Sequence, residues 1–271
     1  MRNRSNLGAK LISAPYVVWD IIFIVAPLVF VVYYSFTTKS GDFTFDNITA
    51  LSRFIPTFIR SIWFGIEATI ICLVIAFPTA YIISQRTDRI QRTMVLLVML
   101  PMWTSFLIRT YSWMLILDNN GIINSVLTSL NQAPVRLLGS NAVVLGMVYN
   151  FLPYMILPIY SVMAKLDYSM VEAAQDLGGN RATVIKRCII PMSMPGVVSG
   201  ITMVFVPSVS TFYISQKLGG GIDLIGDVIE RQFQLTQNYN LGASISLVLM
   251  VLILVSMAVM NKFSDEGEMV L

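Results

Sequence analysis

Histidine is absent from the chain, which removes the usual imidazole metal ligand and the usual general base at neutral pH. Cysteine is scarce: Cys72 lies in an apolar run and Cys188 in a charged segment, settings too unlike for a disulfide framework or a metal knuckle. Charge is sparse at 12% of residues, and the formal net charge is only +3. The catalytic spacings HExxH, GxSxG and paired cysteines do not occur, nor does a glycine-rich phosphate loop of the Walker type. These absences weigh against an enzyme built on a nucleophile, a base or a metal, and the chain by itself has no means to hydrolyse ATP. Internal repeats and low-complexity stretches are lacking too.

What the chain has in quantity is apolar surface. Of its 271 residues, 56% are hydrophobic, more than a soluble fold can bury, so lipid must cover part of it. A helix needs about 20 apolar residues to cross the hydrocarbon layer. Six runs qualify, at about 16–36, 61–84, 93–117, 141–164, 191–213 and 241–262. The expected fold is therefore an all-α membrane protein of six transmembrane helices forming one domain over residues 1–271. The first run follows Arg2, Arg4 and Lys10 like a secretory leader, but its length and the lack of a small-x-small site before Thr37 make it an uncleaved anchor.

Placing the N-terminus in the cytoplasm puts Arg2, Arg4, Lys10, Arg86, Arg89, Arg92, Lys165, Arg181, Lys186, Arg187 and Lys262 inside. Lys39, Arg53, Arg60, Arg136, Lys217 and Arg231 then lie outside. Short basic loops stay on the cytoplasmic side, so both termini are expected inside. Prolines recur within the runs, at Pro27, Pro78, Pro101, Pro153, Pro158, Pro195 and Pro207. Each removes a backbone donor, and such breaks survive in lipid only where neighbouring helices or a polar cavity satisfy the freed carbonyl. A bundle with an internal path meets that condition. Gly196 and Gly200 form a GxxxG that lets the fifth run approach another helix closely, with ordinary intrachain packing as the first expectation.

Between the fourth and fifth runs lies a charged loop, residues 165–190. Helical spacing gathers Met170, Ala173, Ala174 and Leu177 on one face and leaves Glu172, Gln175 and Asp176 on the rest. Gly178-Gly179 permits the left-handed turn that ends a first short helix, and Asn180 is placed to cap a second. A generic amphipathic loop would explain the charge but not the separations of Glu172-Ala173-Ala174, Gly178 and Pro191. That spacing resembles the EAA loop of ABC importer permeases, with Cys188 and Ile190 standing where the family has Ile and Leu. The resemblance implies a type I (MetI-like) importer permease whose loop docks on a separate ATPase. Glu172, Ala173, Ala174, Asp176, Gly178, Arg181 and Pro191 would then carry the coupling.

Longer stretches are similar to the spermidine/putrescine permeases of the PotB-like branch: Pro101-Met102-Trp103-Thr104-Ser105 through Tyr111, Leu157 to Ser161 with Lys165-Leu166-Asp167, Ile190 to Gly196, and Leu224 to Glu230. By resemblance the partners are a PotA-like ATPase dimer that binds ATP and Mg, a second PotC-like permease and an extracytoplasmic PotD-like polyamine-binding protein. No cofactor or metal is expected on this chain, and the bacterial inner membrane is its expected site. A passage for a polycation should offer carboxylates and aromatic faces without deep wells. Glu67, an ionisable residue within a span, is one candidate for the path, and its alternative role is to pair with Arg109. Trp103, Asp118, Tyr149, Tyr154 and Tyr213 complete the set, though belt or core positions explain many aromatics equally well. Six acids face six bases in the outer loops, so no acidic funnel is expected. A permease for another small solute, or a secondary transporter or channel, is the rival reading; the latter usually carries more intramembrane acids or inverted repeats.

Overall fold

The computed structural model describes residues 15–166, 169, 174, 176 and 178–268. Among them the regular elements are helical, and the extended pairing is a single bridge between Thr37 and Phe43. The helices are α1 (Pro15–Ser35), α2 (Ile55–Ser84), α3 (Asp88–Met99), α4 (Phe106–Leu117) and α5 (Ile122–Ser129). They continue as α6 (Ser140–Met163), α7 (Ala182–Ser210), α8 (Tyr213–Leu218), α9 (Ile225–Gln234) and α10 (Tyr239–Glu268). Five helices are long and apolar enough to span a bilayer, and α3 with α4 makes a sixth if that bent pair counts as one span.

That bend departs from the sequence expectation of one run over 93–117. Segments Asp88–Trp103 and Phe106–Ser129 meet at 83°. Pro101 sits in a tight turn, Leu100–Trp103, after which Thr104 and Ser105 leave helical geometry with ψ of 149° and 129°. The Thr104 hydroxyl donates to the Pro101 carbonyl at 2.7 Å, closing the end of the first segment. The fifth run shifts as well: α7 starts at Ala182 rather than 191 and stops at Ser210, so Tyr213 opens α8.

Two prolines are absorbed by the same device. A wide helical turn, Ile21–Val25, precedes Pro27, and another, Ile185–Ile189, precedes Pro191. In each, the residue before the proline donates its N–H five residues back, Ala26 to Ile21 and Ile190 to Ile185. A proline has no N–H to give and its ring crowds the carbonyl four residues earlier. Widening the preceding turn lets the helix continue past it.

The contacts divide the chain into two compact units, one of residues up to 55 with 228–252, the other of residues 56–227 with the remainder of the C-terminal helix. In the first unit, the carbonyls left open at the C-terminal end of α1 are taken by side chains. Asn240 donates to the Thr37 carbonyl at 2.7 Å and to that of Tyr34 at 3.2 Å, while Ser244 donates to Ser35 at 3.1 Å. Asn47 donates to Thr37 at 2.9 Å. Helix ends need such partners because their last carbonyls have none within the helix.

In the second unit α2 presents small residues at a spacing of four, and Ala68, Cys72, Ala76 and Ala80 are all fully buried. That stripe lets α2 come close enough to α6 for the Cys72 thiol to donate to the Val148 carbonyl at 3.9 Å. On α7, a Cβ at Gly196 would stand 2.8 Å from the Pro158 oxygen and 3.0 Å from the Ile159 Cα of α6. The GxxxG is thus spent on packing within the chain. Gly146 of α6 admits α8 in the same way, since a Cβ there would lie 2.5 Å from Leu218 Cδ1. Met147, Met155 and Ile159 of α6 have no exposed surface, so α6 is the axis of this unit.

Candidate functional site

The loop that leads into α7 is built on the α6 side of the bundle. Glu172 and Ala173 lie outside the described residues. Ala174 is half-buried, packs on the hydrophobic core, and its carbonyl accepts the Gly179 N–H at 3.0 Å. Gly178 holds φ at +83°, a left-handed turn that glycine adopts without steric cost. Gly179 is equally confined, since a Cβ there would meet the Ala174 carbonyl at 2.5 Å. Asn180 caps the next turn: its side-chain oxygen accepts the Thr183 N–H at 2.8 Å. Arg181 opens that turn, Arg181–Val184, and Asp176 is exposed. Val184 and Ile189 are buried at 3% exposure each, so the segment after the turn is seated rather than solvated. Pro191 follows the widened turn and starts the long apolar stretch of α7.

Beneath this segment a small cavity of about 130 Å³ is lined by Tyr81, Ser84, Gln85, Met163, Ala164, Leu166 and Ile189. Beside it Gln91 of α3 acts as a three-way tie. Its amide nitrogen donates to the carbonyls of Ser84 and Arg86, and its oxygen accepts the Tyr160 hydroxyl of α6 at 2.9 Å. The end of α2, the start of α3 and the end of α6 are thus joined next to the loop. A polar residue three positions into an amphipathic helix is the only trace of this in the sequence.

The residues expected to line a path do not form one cluster. Trp103 ends the tight turn and is 70% exposed. Trp113 of α4 meets Tyr149 of α6 edge to face at 5.5 Å, and Phe106 meets Tyr213 at 6.2 Å. The ring face of Tyr213 is already used by the chain's own Lys217, whose ammonium stands 5.6 Å from the centroid. Tyr154 packs near Phe151. The Asp118 carboxylate accepts the Asn120 N–H at 3.1 Å and so shapes the turn after α4. Glu67 and Arg109 are not paired with each other: among the described residues Glu67 has no hydrogen-bond or ion-pair partner, and the Nε and Nη1 of Arg109 are enclosed without one.

Glu67 instead faces a recess of about 340 Å³ lined by Ile71 of α2 and by Asn141, Val144, Leu145 and Val148 of α6. Asn141 does not stand out in the sequence, because it lies at the edge of a run and becomes notable only once α2 and α6 pair. Asn150 is missing from the sequence-based set as well, although a polar residue amid an apolar run is a legible signal. It is fully buried, its amide nitrogen donates to Gly146 at 2.8 Å, and its oxygen has no partner among the described residues. No group of three or more metal-ligating side chains occurs among the described residues.

Comparison with known families matches residues 11–265 to the binding-protein-dependent transport system inner membrane component. The spermidine/putrescine transport system permease protein PotB of Haemophilus influenzae is 36% identical over 266 residues, covering 93% of this chain and 92% of that protein. PotB of Escherichia coli K12 is 33% identical over 245 residues, covering 86% and 89%. Among solved structures, a bacterial ABC transporter involved in the import of the acidic polysaccharide alginate superposes with a TM-score of 0.77 at 18% identity, covering 98% of this chain and 99% of that one. The MetNI methionine ABC transporter in an inward-facing form gives 0.56 at 15% identity, over 78% and 93%.

Proposed function

The chain belongs to the family of binding-protein-dependent transport system inner membrane components and is a permease subunit of an ABC importer, and on that premise we propose that its cargo is a polyamine, spermidine or putrescine. The observation that carries the reading is the 36% identity, over nearly the full length of both chains, to a permease named for those two solutes. The all-helical fold, shared with importer permeases of other cargo, supports the transport role and is silent on the solute.

The loop 165–190 is the coupling element. Glu172 and its neighbours dock in a cleft of an ATPase dimer, which binds ATP and Mg, and the seated turn from Gly178 to Ile189 passes the displacement into α7. A second permease completes the passage and a polyamine-binding protein delivers the solute from the outer side. Both termini lie in the cytoplasm of a cell whose inner membrane the chain crosses several times, in line with the basic residues of the loops. Trp103, Arg109, Asp118, Tyr149, Tyr154 and Tyr213 belong to or border the path together with Glu67. Uptake of radiolabelled putrescine and spermidine by the complex reconstituted in vesicles, with competition by amino acids and sugars, tests the cargo. ATP-dependent uptake of either polyamine is the expected result, and uptake of another solute class alone refutes it.

A further inference from the structure

We propose that the recess between α2 and α6 binds a primary ammonium group, with Glu67 as counter-ion and Asn141 as the amide partner, and that the attached methylene chain lies along Ile71, Val144 and Val148. The inference rests on the polyamine reading and adds a site to it. Glu67 lies well inside a helix long and apolar enough to span the bilayer, is half-buried, and has no partner among the described residues. A carboxylate so placed is costly unless it faces water, a cavity or a cation. No basic residue lines the recess.

The surroundings suit a flexible cationic chain. On α2, Ile59, Trp63, Ile70 and Val74 form a strongly exposed apolar stripe, at 62%, 63%, 56% and 67% exposure. Glu67 stands at the edge of that stripe toward α6, one helical turn after Trp63. An indole and a carboxylate one turn apart are the two groups that attract an ammonium most strongly, one by its ring quadrupole and one by charge. Across the gap α6 contributes an amide at its first turn and then three aliphatic side chains, which match methylenes and make no demand for hydrogen bonds. The N-terminus of α6 is there too, and its partial positive charge of about one half is smaller than the full charge of the carboxylate. The recess volume of about 340 Å³ accepts an aminobutyl arm with room for water.

The test measures equilibrium binding of labelled spermidine to the purified complex without its binding protein, alongside uptake in vesicles with it. Glu67→Gln is expected to weaken binding about tenfold through loss of the counter-ion, with Glu67→Asp retaining most of it. Leu145→Trp keeps the carboxylate and fills the mouth of the recess, where Leu145 is 40% exposed, and is expected to weaken binding to a similar degree. Unchanged binding in either Glu67→Gln or Leu145→Trp overturns the inference, as does uptake of spermidine by an unaltered complex that binds none in the absence of the binding protein. Loss of assembly in Glu67→Gln with normal binding by the assembled fraction also overturns it, because Glu67 is then a subunit contact. An unaltered complex that neither binds nor imports polyamines, but imports another solute, refutes the cargo assignment itself.

Discussion

Adding one methyl group at Gly196 is a sharp test of how α6 and α7 are held. The Cβ of Gly196→Ala would lie 2.8 Å from the Pro158 oxygen, 3.0 Å from the Ile159 Cα and 3.1 Å from a Val162 methyl, where ordinary contact begins near 3.4 Å. Two of those three neighbours are backbone atoms, so no rotamer change relieves the crowding, and the helices must part by roughly half an ångström. Overpacking of this kind costs about 1–3 kcal/mol, which for a chain of this size corresponds to a fall of about 2–5 °C in Tm. Gly200→Ala meets chiefly the Met155 sulfur at 2.7 Å, with backbone at 3.2 Å. A methionine side chain yields easily, so the smaller loss is expected there. Met203→Ala, on the exposed side of α7 at 52% exposure, serves as the control. Thermal unfolding of the purified complex followed by intrinsic fluorescence ranks the three. A Gly200→Ala loss equal to or larger than that of Gly196→Ala, or no loss in Gly196→Ala, refutes the reasoning.

Pro191→Ala restores a backbone donor and removes the ring that forces the widened turn Ile185–Ile189. A regular helix has one residue fewer per such turn, so relaxation rotates the segment before it by about 100° relative to α7; uptake per ATP hydrolysed is expected to fall several-fold in an assembled complex, and an unchanged ratio would count against the turn as a register device. Asn240→Leu strips the Thr37 and Tyr34 carbonyls of their shared donor. Asn47 still donates to the Thr37 carbonyl, so the loss is that of a shared buried donor, about 1 kcal/mol; faster amide hydrogen exchange is expected in the last turn of α1, and native-like protection there would show that the remaining donors suffice.

How much is legible in the sequence follows the range of the interactions involved. The apolar runs announce most spans because crossing a bilayer is a local property of length and composition, and Gly178 and Asn180 announce their turn and cap because each acts within three residues. The break after Trp103 is hidden inside a run that stays apolar on both sides, where one proline among seven in-span prolines gives no hint of which will bend the chain. Asn240 closing a helix that ended about two hundred residues earlier has no sequence signature at all. The meeting of Glu67 and Asn141 in one recess depends on the small-residue face of α2 packing on α6, so the polar partner has no name before the packing is known. Charge matching alone suggests Glu67 with Arg109, and the fold keeps the two unpaired.

The latch of Asn47, Asn240 and Ser244 grips α1 at a single tip, whereas none of the residues in its most apolar window is buried. Above the tip, Pro27, Phe30 and Val31 share a recess with Phe233, Tyr239 and Ala243, and the helix before them stands open. The apolar length beyond that tip is surface for acyl chains to cover, so the thickness of the bilayer acts on this helix more directly than on the packed ones.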